Sequence, residues 1–406
     1  MDKLFVGNLR KIIAITVAAI LPLCCASCGK IGDTSSKAAS EVVIYPDTTD
    51  AEPLTIGYTF WDLTFDGFMN DQANQIKLVA DALGVNLIFN PDLEDYSADS
   101  VVRAAQYFAD QKVDGMIVIN FSEDSLLDIS DICKDSEIPF IQATRTINDP
   151  QVAAVVEANP YYIGRMHESE YAAAYEVGRK LIDNGAKNII MFSAEHGDVA
   201  YEARAEGFRD ACEEPDVDII EEVWELADDE NTATVAKEMF EKHPEADGIF
   251  SVRGGLFPFI VQAEDEMGFE EYIPIAGVDF DKSLGKYIES GAITAVAGGH
   301  HADASLSLIT LVNAIRGSYD SQNYPLDINY NMMVIDSLDA FNDYKDWCLG
   351  YDYDYDNRQI LNANDARGLC VDFNKDTTLN DIIAFAENMS LDGVKERHRA
   401  FVNNDK

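Results

Sequence analysis

Short apolar runs alternate with helical segments along most of this chain, and that alternation restricts the folds it can adopt. The first unit is Leu54–Phe89, in which an apolar run, a loop and a helical pattern precede a second apolar run at Val85–Phe89. The helical pattern recurs at Phe68, Ala73, Ile76, Val79, Ala80 and Leu83. The loop follows the first strand at its carboxyl end, which is where open α/β sheets bind ligands.

The same alternation continues after Phe89 and restarts near Asn159. Further strands are predicted at Gly115–Asn120, Ile138–Ala143, Asn188–Ser193, Asp218–Glu225, Gly248–Val252, Ile273–Val278, Ile293–Ala297 and Ile328–Ile335. Helices are predicted between them, including a long one at His167–Asn184. Strands that alternate with helices indicate parallel, three-layer α/β domains. Two successive sets of similar size indicate two similar lobes.

The charge of the chain excludes one class of function. Its 406 residues carry a formal net charge of −43, whereas a nucleic-acid partner requires a surplus of Lys and Arg. The hydrophobic share of 47% is sufficient for large cores, and the length predicts two or three domains. The acidity indicates a well-solvated surface and does not identify a partner.

The first 28 residues are predicted to be a lipoprotein signal peptide. Lys3, Arg10 and Lys11 form a positive region ahead of the short apolar run Ile12–Leu23. Ala26-Ser27-Cys28 resembles a bacterial lipobox with Cys28 as the lipidated residue, although Cys25 stands where Leu is usual. An uncleaved anchor or a plain secretory signal is the alternative. Either way, the folded part is expected outside the cytoplasmic membrane.

Residues 29–53 are polar and rich in small side chains, so they are predicted to form a flexible linker. Four cysteines follow the signal segment: Cys133, Cys212, Cys348 and Cys370. A disulfide between the last two is permitted outside the cell. Isolated buried thiols are the equal alternative, because pairing cannot be read from sequence.

Seven short motifs occur in the order typical of one known family. They are IGYTF, VDGMIVIN, IPFIQATR, ARAEGF, ADGIFSV, IPIAGVDF and ITAVAGGHH, between about Leu54 and Ile335. The chain therefore resembles type I periplasmic sugar-binding proteins of the ribose- and galactose-binding kind. The resemblance implies an α/β fold of two doubly wound parallel-sheet lobes joined by a three-strand hinge, with ligand between the lobes.

The resemblance also implies the domain boundaries. The N-terminal lobe would comprise residues 54–157 and 299–326, and the C-terminal lobe 158–298 and 327–336. Hinge crossings would fall near Glu157–Asn159, Gly298–His300 and Pro325–Asn329. The remaining residues, 337–406, are acidic and rich in tyrosine, and we expect an accessory segment packed on one lobe.

Candidate ligand-binding residues in the first lobe follow its predicted strands. Trp61 and Phe65 stand where the family places aromatic side chains that stack on a sugar ring, and Asp62 would accept hydroxyl protons. The alternatives are a core role for Trp61 and a capping role for Asp62. Asn120 ends a strand at a position that contacts ligand in some family members.

Further candidates match family positions in both lobes and the hinge. Arg145 and Arg204 match ligand arginines and Asp279 the ligand aspartate, while Tyr201 lies on the same predicted helix as Arg204. The departures from the family are Thr144 in place of Asp, Arg253-Gly254 in place of Asn-Asp, and Gly298 in place of Gln. His300 follows Gly298 and would reach the ligand; a packed or solvated hinge histidine is the alternative.

Three arginines could hold a carboxylate or phosphate in forked geometry, so an acidic sugar or another small anion is one prediction for the ligand. A neutral sugar is the alternative, because neutral-sugar sites also use two arginines. Two partial calcium-loop patterns, from Asp352 and from Asp372, lack the acidic twelfth position, and His167-Glu168 lacks the second histidine of a zinc-protease motif. No metal or cofactor is therefore predicted.

The sequence thus predicts a lipid-anchored, non-enzymatic, monomeric solute-binding protein that feeds an ABC importer. The alternative within the same fold is a sensor whose closed form is recognised by a membrane histidine kinase or a chemoreceptor. A secreted α/β enzyme is a third hypothesis, from a different class, which turnover of a bound ligand would support.

Overall fold

The computed structural model of the protein describes residues 43–60, 68–90, 97–120, 122–281, 283–320, 324–349 and 358–402. Residues 43–406 form one compact unit. Trp61, Asp62, Phe65 and Cys28, four of the predicted functional residues, lie outside the described residues.

The first sheet has six parallel strands. They are β1 (Thr55–Tyr58), β2 (Asn86–Phe89), β3 (Gly115–Val118), β4 (Phe140–Thr144), β5 (Tyr162–Glu168) and β11 (Leu326–Tyr330), in the order β11-β5-β4-β3-β1-β2. The helices of this lobe are α1 (Phe68–Leu83), α2 (Ala98–Gln111), α3 (Glu123–Ser136), α4 (Pro150–Glu157) and α10 (Asp303–Ile315). The central strands are buried along their length, as is typical of a sheet covered on both faces.

The second sheet also has six strands. They are β6 (Asn188–Phe192), β7 (Asp218–Val223), β8 (Gly248–Ser251), β9 (Ile275–Val278), β10 (Ile293–Gly298) and β12 (Met333–Ile335), in the order β12-β10-β9-β8-β6-β7. All pairs are parallel except β10 with β12. Its helices are α5 (Glu170–Asp183), α6 (Val199–Ala211), α7 (Glu230–Lys242), α8 (Phe257–Met267) and α9 (Leu284–Ser290), with a short 3₁₀ turn at Gly254–Leu256. The predicted fold class is therefore confirmed, including extra C-terminal helices.

The chain crosses between the lobes three times, at 168–170, 298–303 and 330–333. The first and third crossings lie later in the chain than the sequence predicted. The reason is that β5 and β11 pair with each other in the first sheet, so both strands still belong to the first lobe. Gly164 permits that pairing: its φ is +139°, and a Cβ there would lie 2.2 Å from the Leu326 carbonyl oxygen. The polar run at His167–Glu170 has the pattern of a helix start, although His167 and Glu168 are the last two residues of β5.

The C-terminal segment contacts both lobes, whereas the sequence predicted contact with one. Its helices are α11 (Leu338–Cys348), α12 (Ala363–Leu369), α13 (Leu379–Glu387) and α14 (Leu391–Val402). Helix α12 packs on α1 and α13 packs on β11, both in the first lobe, while α11 packs on α9 in the second. Its apolar side chains Ile360, Leu361, Ile382 and Val394 are fully buried in the main core.

The described part of the predicted linker is held against this same segment. The Tyr45 amide donates to Asn364 Oδ1 at 3.0 Å, and the Thr49 hydroxyl donates to the Asp372 carbonyl at 3.1 Å. Residues 43–53 therefore belong to the folded unit. No helix in the described ranges has both the length and the apolar character needed to cross a membrane.

The four described cysteines are buried free thiols, so Cys348 and Cys370 are not joined by a disulfide. Burial raises the pKa of the Cys212 thiol to about 12 and that of Cys370 to about 11. A thiol with so high a pKa is a weak nucleophile, so these cysteines are packing residues.

Candidate functional site

A cavity of about 370 Å³ lies between the lobes, at the carboxyl ends of β4 and β5. Its walls come from those strand ends, from the starts of α5 and α6, and from the crossing after β11. The lining residues are Thr144–Thr146, His167–Ala172, Val199, Ala200, Ala203, Asn329 and Asn331. Of the charged groups described below, Arg145, Glu168 and Glu170 line it directly.

Arg204, on α6, is the centre of the charged network and is only 4% exposed. Its guanidinium donates to both carboxylate oxygens of Glu170, at 2.5 and 3.0 Å, to Asp279 Oδ2 at 2.9 Å, and to the Val252 carbonyl at 2.8 Å. Burial alone would lower the pKa of Arg204, but Asp279 and Glu170 outweigh burial and hold that pKa well above its ordinary value. Arg204 is therefore a fixed cation with its donors already assigned.

Asp279 directly follows β9 and has a φ of +75°, which is rare for a residue with a side chain. Thr144, with a φ of +67°, ends β4, and these two strands occupy the same place in their respective sheets. Strained backbone of this kind collects at functional sites. Burial would raise the pKa of the Asp279 carboxyl, but Arg204 and His300 outweigh it and lower that pKa, so Asp279 is ionised.

His300 lies beside Asp279, with Nε2 3.6 Å from Oδ1, and is 4% exposed. Burial lowers the pKa of His300 to about 4, so its imidazole is neutral near pH 7. A neutral imidazole offers one donor and one acceptor.

Arg253, after β8, pairs with the carboxylate of Asp228. The Tyr201 ring lies between the two arginines, with the guanidinium carbons of Arg204 and Arg253 each 5.9 Å from its centroid. Two cations beside one aromatic ring hold that ring in place by cation–π attraction.

Arg145 connects the two lobes. It follows β4 in the first lobe, and its Nη2 lies 3.5 Å from Asp198 Oδ2 in the second. Asp198 is also the N-cap of α6, where its Oδ1 accepts from the amides of Ala200 and Tyr201 at 2.8 and 3.2 Å.

Sequence reasoning missed a buried polar network behind the cavity. Asp303 is fully buried, and its carboxylate accepts from Gln72 at 2.9 Å and from the Thr144 hydroxyl at 2.6 Å. Glu168, 4% exposed, is its neighbour at the end of β5 in the same lobe. Burial raises the pKa of Asp303 to about 6, and burial together with Asp303 raises that of Glu168 well above its ordinary value. The available signal was a carboxylate at a strand end, which the helix assignment at His167 obscured.

Asn120 lies at the end of β3, where its side chain is engaged within the first lobe. Its amide donates to the Ser122 carbonyl at 3.0 Å, and its Oδ1 accepts from Gln142 at 2.8 Å. Of the predicted residues that the structure describes, Arg145 lines the cavity, and five others lie in the charged network around Arg204: Tyr201, Arg204, Arg253, Asp279 and His300. Their role in binding stays a prediction.

A profile of the family described as periplasmic binding protein domain matches residues 56–317, which is more than half of the chain. The chain belongs to the periplasmic binding protein family. Solved structures agree with this binding-protein fold, and a periplasmic sugar-binding protein from Pseudomonas fluorescens superimposes with a TM-score of 0.66 at 15% identity. That match covers 84% of this chain and 99% of the other.

Two further structures of similar fold carry titles that name their solutes. A glucose-galactose binding protein from Geobacillus stearothermophilus has a TM-score of 0.59 at 18% identity, covering 70% of this chain and 98% of that one. An arabinose-transporter binding protein from Shewanella sp. ANA-3 has a TM-score of 0.60 at 18% identity. That match covers 72% of this chain and 94% of the other. Among proteins with curated sequences, none matches this chain.

The charges in the cleft of this binding protein do not leave a surplus of cations. Arg204 is bonded to two carboxylates, and Arg253 and Arg145 are each paired with one. Glu168 and Asp303 add two further carboxyl groups. The described side chains of this binding protein include no cluster of three or more His, Cys, Asp or Glu placed to hold a metal ion.

Proposed function

We propose that the protein binds a small polyhydroxylated solute of the sugar class between its lobes and delivers it to an ABC importer. The observation that carries the proposal is the arrangement at the strand ends. Arg145 from the first lobe and Glu170 from the second line one interlobe cavity, and Glu170 is bonded to Arg204, which belongs with Asp279 and His300 to one charged network. Hydroxyl groups need such a mixture, because each hydroxyl both donates and accepts.

The names of similar structures support the same class of solute, since their titles describe glucose, galactose and arabinose. The prediction of an anionic ligand has lost its basis, because each of the three arginines already neutralises a carboxylate of the protein. We therefore propose a neutral or cationic solute. No chemical step is proposed, and the solute is expected to leave unchanged.

The location of the protein at the membrane is also part of the proposal. Cys28 would carry the lipid that holds the folded unit at the outer face of the cytoplasmic membrane. Labelled fatty acid supplied to the expressing bacterium should be incorporated into the wild type and not into Cys28→Ala. Incorporation into the variant would contradict the assignment.

Calorimetry with a panel of neutral, amino and acidic monosaccharides tests the binding function. At least one neutral or amino sugar should bind, and Asp279→Asn should weaken its binding about 100-fold, because an amide cannot balance Arg204. Asp265→Asn, on the exposed face of α8, is the matched control and should bind normally. Binding of acidic sugars alone would contradict the proposed solute class, and chemical change of the recovered ligand would indicate an enzyme.

A further inference from the structure

We propose that the solute carries a protonated amine, as an amino sugar does, and that Glu168 is the carboxylate that receives it. This inference rests on the proposed function, because it names the class of solute that would occupy the same cleft. It makes Glu168 a specificity-determining residue.

Glu168 is a buried carboxyl group at the cavity that could accept hydrogen bonds from a ligand. It is the last residue of β5, is 4% exposed, and lines the interlobe cavity with Ser169 and Glu170. Apart from the side-chain hydrogen bond that it shares with Asp303, its carboxyl oxygens have no hydrogen-bond partner within the described part of the chain. A buried carboxylate without donors is costly, so a donor from the ligand would stabilise it strongly.

The protein's own donors near Glu168 are engaged elsewhere. Thr144 and Gln72 both donate to Asp303, and the Tyr58 hydroxyl donates to Gln72 Oε1 at 3.0 Å. The Tyr330 hydroxyl donates to the Gly299 carbonyl at 3.1 Å. Asp303 is thus satisfied by two donors, whereas its partner Glu168 receives none of these bonds.

Charged groups face Glu168 from each element packed around it. Asp303 comes from α10, Glu170 from α5, Arg145 from the end of β4 and Arg204 from α6. Arg204 is bonded to Glu170 and Asp279, and Arg145 is paired with Asp198. Among the residues that the structure describes, the carboxyl pair of Glu168 and Asp303 therefore has no cation of its own, and a compact ammonium with three donors fits that deficit.

Binding of an ammonium at this position is coupled to a proton. Burial and Asp303 raise the pKa of Glu168 well above its ordinary value, which favours a proton on its carboxyl when the cleft is empty. On binding, the ammonium takes the place of that proton, which leaves for the solvent, and Glu168 faces the ligand as a carboxylate. The net charge of the site is unchanged, because one positive charge enters with the ammonium and one leaves with the proton. A neutral hydroxyl in the same place leaves the proton on Glu168.

Titration calorimetry in two buffers of different ionisation enthalpy tests this inference on the full chain. The ligands are 2-amino hexoses of the gluco, galacto and manno series, each beside its N-acetyl derivative and its parent hexose. One amino hexose should bind at least about tenfold more tightly than its parent and release close to one proton. In Glu168→Gln the preference for the amine over the parent hexose and the proton release should both disappear. Glu206→Gln, exposed on α6, is the matched control and should behave as the wild type.

Each other outcome has a definite meaning. If the hexose or the N-acetyl derivative binds as tightly as the amine, or if the bound amine releases no proton, the inference is overturned and the proposed function stands. If no panel member binds, the proposed function fails and the inference with it. If Glu168→Gln fails to fold, the number of protons that the wild type releases on binding the amino hexose decides the inference by itself.

Discussion

At the scale of single residues, Arg204 holds together the charges of the cleft. It is buried between Glu170 and Asp279, and both carboxylates depend on it for compensation. Removing one member of a buried ion pair costs about 3–5 kcal/mol, because the other member stays buried and unpaired. Arg204→Met should therefore lower the free energy of unfolding by that amount, as measured by urea denaturation, and should abolish solute binding.

Arg209→Met is the control on the same helix. Arg209 pairs with Glu222 near the surface, and both side chains are at least 30% exposed. An exposed pair contributes less than about 1 kcal/mol. If Arg204→Met and Arg209→Met lose the same free energy of unfolding, the central role of Arg204 is contradicted.

Glu264, on α8, gives the protein a pH-dependent stability. Its side chain is fully buried, and burial raises its pKa from 4.5 to about 8. A carboxyl whose pKa is raised in the folded state contributes stability below its ordinary pKa, and that contribution is lost as pH rises through about 8. The wild type should thus lose several kcal/mol of unfolding free energy between about pH 5 and about pH 8.

Glu264→Gln should make that slope clearly shallower, because the amide is neutral at every pH and its oxygen can still accept from the Ile273 amide. The rest of the slope comes from Asp303 and Glu168, whose pKa values are also raised. The measurement is the midpoint of urea unfolding at several pH values. Glu238→Gln, exposed on α7, keeps the wild-type slope. A slope in Glu264→Gln as steep as that of the wild type would assign the pH dependence to other groups.

The sequence could locate part of the site at this scale. Arg145, Arg253 and Asp279 follow predicted strands, where ligands bind in such sheets, but it was the resemblance to the family that singled them out. Glu168 and Asp303 were not selected, because they become neighbours only when β5 and α10 join the same lobe. Such a contact depends on strand order, which local patterns do not encode.

At the scale of elements, strands and helices follow the apolar periodicity closely, and the errors in the strands lie at the hinge. The sequence predicted one strand over Ile328–Ile335, whereas β11 and β12 belong to different sheets. A continuous apolar pattern does not reveal a change of sheet, because both strands are buried. The contacts of the C-terminal segment were wrong for a similar reason, since short helices can pack on any apolar surface.

The C-terminal helices are part of the common core, and this can be measured. Ile382 on α13 is fully buried, so Ile382→Ala should cost about 2–5 kcal/mol and shift a single unfolding transition of the whole protein. The adjacent Ile383 is only half-buried, and Ile383→Ala should cost less than half as much. A separate unfolding transition of the segment under milder conditions, after which solute binding is still intact, would show instead that the segment folds independently.

At the scale of the whole molecule, the Arg145–Asp198 pair joins the lobes across the cleft. Each side chain is 20% exposed, so the pair should stabilise the closed form by about 0.5–1 kcal/mol. Asp198→Asn removes the ion pair but keeps an N-cap for α6, because Asn caps helices as well as Asp does. The variant should therefore fold normally, while its closed form becomes less populated.

A less populated closed form lowers the apparent affinity in proportion, so Asp198→Asn should bind solute about two- to fivefold more weakly. Small-angle scattering should show a larger radius of gyration at a subsaturating solute concentration, because fewer molecules are closed. Asp149→Asn provides the matched control: Asp149 caps α4, within the first lobe, by accepting from the Gln151 amide at 2.7 Å. If both cap variants weaken binding equally, or neither does, closure does not depend on the charge that Arg145 carries across the cleft.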